Sequence, residues 1–87
     1  VHALDPYVRS GEINSRVKSS QEKIEAVKMA FADGAHDMLD GLTITYPTYW
    51  FNLRPSNTEP LLRLNIEADS PALLEDVKAK LLKIIRA

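Results

Sequence analysis

Cysteine is absent from the 87-residue chain, which excludes a disulfide scaffold, a thiolate zinc site and a cysteine nucleophile. Neither sign of charge is in excess. Eleven Lys and Arg stand against twelve Asp and Glu, a net charge of −1 with a pI near 6.1. That balance argues against a domain whose main task is gripping nucleic acid or an anionic membrane. Long apolar runs are missing as well: the chain has only short ones, where a bilayer span needs roughly 20 residues. Val1–Pro6 has neither the basic start nor the apolar stretch of a signal peptide. An initiator Met is lacking too, so the chain is expected to be an excised piece of something longer. There is no internal repeat, low-complexity tract or long charge run. What remains is 45% hydrophobic and 26% charged residues, the balance of a soluble globular fold with room for one small domain over residues 1–87. A piece of this size is expected to bind rather than to house a complete enzyme.

The periodicities arrive in a definite order. Ile13, Ser15 and Val17 alternate with Glu12, Asn14 and Arg16, which predicts a half-buried strand over Gly11–Val17. The residues before it, through Tyr7 and Arg9, read as a linker or entry arm. Ser19-Ser20-Gln21-Glu22 is a Ser-x-x-Glu capping box, and Ile24, Val27 and Phe31 follow at helical spacing. This predicts a helix over about Ser20–Asp33, stopped by Gly34 in the left-handed conformation. Three alternating segments come next: Leu42–Tyr46, Tyr49–Arg54 and Leu62–Ala68. Pro47-Thr48 joins the first two and Pro55–Pro60 the second two, links too short for a parallel crossover, so those pairs must be antiparallel. Ser70 and Pro71 then open a second helix, with Leu74, Val77, Leu81 and Ile84 as its buried stripe. The expected fold is α+β in the order β-α-β-β-β-α: a four-stranded, mainly antiparallel sheet with two helices on one face.

One connection carries chemistry. In Leu53-Arg54-Pro55-Ser56-Asn57-Thr58-Glu59-Pro60 two prolines stiffen a turn bearing two hydroxyls and an amide side chain. Arg54 stands at its entrance with a planar fork of donors suited to phosphate. Backbone amides, hydroxyls and one Arg in a rigid concave turn make an anion cradle. The same residues are also ordinary hairpin-loop residues, and Arg63 alternates onto the solvent-facing side like any sheet residue, so composition alone leaves both readings open.

The stretch Arg54-Pro55-Ser56-Asn57-Thr58-Glu59-Pro60-Leu61-Leu62-Arg63, running on to Glu67-Ala68, resembles the phosphate-binding loop of the C-terminal domain of the α-D-phosphohexomutases. That family contains phosphomannomutase, phosphoglucomutase and phosphoglucosamine mutase. The Ser-Asn-Thr form with a following Leu-Arg-Leu-Asn is most similar to its bacterial phosphomannomutase/phosphoglucomutase branch. Ser10-Gly11-Glu12-Ile13-Asn14-Ser15 and Asp40-Gly41-Leu42 resemble flanking motifs of the same domain.

The resemblance implies a TBP-like domain of an enzyme that interconverts hexose 6-phosphate and hexose 1-phosphate through a bisphosphorylated intermediate. In such enzymes a phosphoserine and a magnesium ion do the chemistry, and the C-terminal domain holds the phosphate that is not being transferred and closes the cleft. Arg54, Ser56, Asn57 and Thr58 match the gripping positions, and Arg63 matches a recurrent basic position in the next strand. The implied partners are mannose or glucose 1-/6-phosphate and the other domains of the same cytoplasmic enzyme, with no nucleic acid and no membrane.

The family's nucleophilic serine motif and Asp-rich metal loop are not found in the chain, so it is expected to carry no catalytic residue and no cofactor. Mg2+ would be bound by another domain. Asp33, Asp37 and Asp40 lie close in sequence, but their spacing fits no metal loop. His2 and His36 read as surface histidines. Tyr46, Tyr49, Trp50 and Phe51 read as sheet packing rather than a stacking platform. The alternative is a stand-alone module that binds a protein or nucleic acid through its sheet face.

Overall fold

The computed structural model describes residues 8–39 and 41–87. Among them, in chain order, are β1 (Val8–Arg9), β2 (Ile13–Arg16), α1 (Ser20–Ala30), β3 (Ala35–Asp37), β4 (Leu42–Thr45), β5 (Tyr49–Pro55), β6 (Leu61–Ala68) and α2 (Pro71–Ile85). All ladders are antiparallel, and the sheet runs β3-β4-β5-β6, with β1 and β2 both paired to the far side of β6.

The three strands with clear alternation form as their period of two dictates. β6 is buried at every second residue, at Leu62, Leu64, Ile66 and Ala68. β5 buries Phe51 and Leu53, and β4 buries Leu42 and Ile44. The register sets Ile44 opposite Phe51 and Phe51 opposite Ile66, with Leu42, Leu53 and Leu64 as the next row. Cross-strand partners share a face, so one face of the sheet is continuously apolar. Both helices cover it. Ile24 and Val27 of α1, with Phe31 just past its end, and Leu74, Val77, Leu81 and Ile85 of α2 complete a single core with the strand residues. The opposite face carries Thr43, Asn52, Arg54, Arg63, Asn65 and Glu67 and is mainly polar, with the exposed Trp50 as a large apolar side chain on it.

The α+β class and the one-sided helix layer match expectation; the strand count does not. Among the described residues the sheet has six strands, not four. Val8–Arg9, which the sequence presents as part of an entry arm, pairs with Glu67 and Ala68, and Arg9 lies 3.4 Å from the Glu67 carboxylate. Between β1 and β2 the Ser10 side chain stands in for the ladder. Its Oγ accepts from the Ile66 amide at 3.0 Å while its own N–H donates to the Ile66 carbonyl at 3.0 Å. Ala35–Asp37 forms an edge strand on β4 although all three of its residues are exposed. A strand held by backbone pairing alone shows no alternation to read. Tyr7, His2 and Asp40 lie outside the described residues.

Both helix starts follow their caps. Ser19 Oγ accepts from the Glu22 amide at 3.3 Å, and Ser70 Oγ accepts from the Leu73 amide at 3.2 Å, with Pro71 in the first turn. The end of α1 departs from expectation. It stops at Ala30 with Phe31 as its cap, and Gly34 is not left-handed. Gly34 serves close packing instead: a Cβ there would collide with Ile44 Cγ2 and lie 2.9 Å from the Tyr46 ring. In α2 the fourth stripe residue is Ile85, with Ile84 only partly buried.

Phe51 is fully buried and meets Phe31 edge-on at 5.0 Å and 71°, a favoured aromatic geometry. Phe51→Ala is expected to lower the unfolding free energy by about 3–5 kcal/mol. In urea melts this reads as a lower midpoint at unchanged slope.

Candidate functional site

The β5–β6 hairpin builds the site from its register. Arg54 and Arg63 are direct cross-strand partners on the polar face, and Pro55 pairs with Leu62 just above them. Two guanidinium stems therefore rise from opposed positions at the base of the loop. Like charges so placed are unfavourable in themselves, and an anion between them reverses the sign. Both arginines are half-buried, and among the described residues no carboxylate forms an ion pair with Arg63.

The loop above is held by its own hydrogen bonds. The Ser56 amide donates to the Leu61 carbonyl at 2.9 Å, the Leu61 amide to the Glu59 carbonyl at 2.7 Å, and the Thr58 amide to Ser56 Oγ at 3.4 Å. The end of β2 ties it from the side, with the Val17 amide donating to the Pro60 carbonyl at 2.9 Å. Among the described residues the amides of Asn57 and Glu59 have no acceptor, which leaves two donors at the tip for a ligand. The amides of Ser56 and Thr58, by contrast, are engaged within the loop.

Arg54, Ser56, Asn57, Thr58 and Arg63, the five residues singled out in the sequence, line one depression of about 470 Å³ together with Pro55 and Gly41. From the sequence, Gly41 enters only through the Asp40-Gly41-Leu42 motif and not as a site residue. Its place in the site comes from strand pairing, because Leu42 opposite Leu53 brings residue 41 against Arg54. Glu59, the loop's carboxylate, is not part of the lining and lies 4.0 Å from Arg16 Nη2. The arrangement is cationic at its base and rich in neutral donors at its rim, which suits a compact, multiply charged oxyanion.

A second depression, of about 410 Å³, sits at the far end of β5 between the helix layer and the β4–β5 turn. Tyr46 and Tyr49 stack there at 4.7 Å and 25°, and the Tyr46 hydroxyl donates to Asp33 Oδ1 at 2.6 Å. Desolvation, then the Asp33 hydrogen bond and the neighbouring charges, hold the Tyr46 phenol well above the usual tyrosine range. Desolvation also raises Tyr49, opposed by its hydrogen bond with Tyr46. Asp33 and Asp37 thus have structural partners, Asp37 Oδ1 accepting from the Leu39 amide at 2.8 Å. His36 sits on an exposed edge with Nε2 2.8 Å from the Phe31 carbonyl. Among the described residues no three His, Asp or Glu side chains gather where they could hold a metal, and no helix is long and apolar enough to cross a membrane.

Comparison with known proteins adds two findings. Residues 12–84 match the family described as phosphoglucomutase/phosphomannomutase, C-terminal domain. A phosphomannomutase of Methanocaldococcus jannaschii is 51% identical over 70 residues, covering 80% of this chain and 16% of that protein. A phosphomannomutase of Escherichia coli is 40% identical over 73 residues, covering 82% of the chain and 16% of the protein. One of Vibrio cholerae is 40% identical over 80 residues, covering 88% and 17%. The chain spans 16–17% of the length of these relatives.

The tyrosine pair gives a check on the geometry that needs no ligand. Tyr46 keeps its proton to higher pH in the folded chain than in the unfolded one. Its contribution to stability is complete below the ordinary tyrosine pKa of about 10 and is lost as pH rises through the folded value. Asp33→Asn is expected to lower the Tyr46 pKa, read by ultraviolet absorbance titration. An unchanged titration would mean that Asp33 does not hold the phenol.

Proposed function

The chain belongs to the phosphoglucomutase/phosphomannomutase family as its C-terminal domain, and from that premise we propose that the β5–β6 loop holds the phosphate of a hexose phosphate. The observation that carries this reading is the opposed pair Arg54 and Arg63 beneath a stiff loop of hydroxyls and amides, all on one depression. The substrate class in this reading is a mannose or glucose 1- or 6-phosphate.

The roles follow from the donors. A phosphate monoester is close to dianionic at neutral pH. The Arg54 fork takes two of its oxygens, Arg63 supplies the second positive charge, and Ser56, Asn57 and Thr58 donate neutral hydrogen bonds from the rim. Charge-assisted bonds of this kind contribute about 1.5–3 kcal/mol each. The backbone amides and hydroxyls of the rim are neutral donors that neither gain nor lose a charge near neutrality, so their part of the grip is the same at every stage of turnover. The site reads the phosphate and not the ring, so either end of a bisphosphorylated sugar fits it. That suits a domain holding the phosphate that is not being transferred, and a phosphate bridging this domain to the remainder of the enzyme draws the cleft closed.

The chemistry itself lies elsewhere in this reading. The magnesium ion and the phosphorylated serine are assigned to the rest of a longer cytoplasmic enzyme. The chain on its own is expected to bind sugar phosphates weakly and to show no mutase activity.

Titration of the isotope-labelled chain with inorganic phosphate or mannose 6-phosphate tests the site. The amides of Ser56–Thr58 are expected to shift first, and Arg54→Ala to weaken binding by roughly ten- to a hundred-fold. Loop amides that stay still at millimolar ligand would overturn the assignment.

A further inference from the structure

We infer that the open sheet face beside the loop holds the sugar ring, with Asn65 meeting a ring hydroxyl, an inference that rests on the phosphate reading of the loop. The face has a depression of its own. It has a volume of about 510 Å³ and is lined by Arg9, Thr43, Trp50, Arg54, Asn65 and Glu67 among others, within the size range of small-molecule sites. Arg54 lines this depression and the phosphate depression alike, so the two run into one another.

The strand register sets the spacing. Asn65 follows Arg63 by two residues on β6, so it shares the open face and stands about 7 Å along it. Trp50 precedes Arg54 by four residues on β5, about 13 Å from the arginine tier, and lies opposite Glu67. A hexose whose phosphate sits at the arginine tier carries its ring one ester bridge away, over the tier of Asn65. The far edge of the ring then points toward Trp50.

The side chains of that tier differ in what they have left to offer. Asn52 donates to Thr43 Oγ1 at 3.0 Å, so its amide is engaged within the sheet. Asn65, opposite Asn52, is half-buried, and among the described residues no hydrogen bond engages its side chain. Such an amide holds one acceptor and two donors ready. A hydroxyl both gives and takes a hydrogen bond, so the amide meets one whichever way the ring is turned. Both ends of a bisphosphorylated sugar are therefore still accepted. Trp50, 37% exposed, supplies apolar surface against which the carbon-bound hydrogens of a sugar pack. The Glu67 carboxylate beside it lies 3.4 Å from Arg9 Nε, which keeps that wall near neutral. Phosphate is thus drawn to the arginine tier, and the neutral ring to the tiers beyond it.

Parallel titrations of the 87-residue chain with inorganic phosphate and with mannose 6-phosphate test the ring subsite. Trp50 is the only tryptophan of the chain, so its fluorescence reports on the open face alone. Mannose 6-phosphate is expected to change that emission and to shift the Asn65 side-chain amide further than phosphate does. Inorganic phosphate, held about 13 Å from Trp50, is expected to leave the emission unchanged. Asn65→Ala should weaken mannose 6-phosphate binding by about two- to tenfold, the worth of one neutral hydrogen bond, and leave phosphate affinity as it was. Loop amides that respond to mannose 6-phosphate while Trp50 and Asn65 stay silent overturn the ring subsite alone. Equal losses for both ligands in N65A, or no loss for either, do the same. Loop amides that ignore both ligands overturn the phosphate reading, and the ring subsite with it. Where N65A does not fold, the Asn65 resonance and the Trp50 emission of the unsubstituted chain decide.

Discussion

The register of β5 against β6 holds the molecule and its site to the same choice. Seven pairs, from Tyr49 opposite Ala68 to Pro55 opposite Leu62, join the two strands. Because side chains alternate, this register puts Phe51, Leu53, Leu64 and Ile66 under the helices and Asn52, Arg54, Arg63 and Asn65 on the open face. A slip of one residue in either strand would turn its leucines to water and its arginine into the core. Burying an unpaired guanidinium costs several kcal/mol, and exposing the leucines forfeits their apolar burial as well. The core therefore defends the register, and the register sets the two arginines side by side.

The remaining elements take their places from that pair. β4 adds to β5 so that its Leu42 and Ile44 extend the apolar rows, and the same pairing carries Gly41 to the edge of the depression. β2 adds to β6 and its end grips the loop at Pro60. Two prolines, three internal hydrogen bonds and this lateral tie leave the loop little freedom, so little ordering is needed when a ligand arrives. The positive charge that matters is local. A chain with a net charge of −1 has no broad field to attract polyanions, yet one tier of one sheet presents two cations and a rim of donors.

The two ends of β5 are used differently. At one end stand Arg54, the loop and the depression lined by polar groups. At the other, about 20 Å away at the rise per residue of a strand, Tyr49 stacks on Tyr46, and Tyr46 is hydrogen-bonded to Asp33 beyond the end of α1. Phe31 links the same corner to Phe51 in the core. This aromatic corner fastens the helix layer to the sheet and leaves the loop end open to solvent.

Much of this was legible in consecutive residues. Alternation in Gly11–Val17, Leu42–Tyr46, Tyr49–Arg54 and Leu62–Ala68, the Ser19 and Ser70 caps, and the helical stripes specify four strands and two helices. The motif from Arg54 to Arg63 likewise gathers the five candidate ligand residues. The rest was not, for one physical reason: local periodicity belongs to neighbours along the chain, and pairing belongs to residues far apart in it. β1 and β3 are two and three residues long and are placed by pairing with β6 and β4, too short for an alternation to be read along the chain. Gly34 reads along the chain as a helix stop and Gly41 as part of a short motif, and only folding sets one against Ile44 and Tyr46 and the other against Arg54. The sequence by itself determined which residue types stand in the loop and at its base; only the tertiary structure decided that Arg54 and Arg63 share one tier and that Gly41 packs against Arg54, because those contacts are set by strand pairing between residues far apart in the chain.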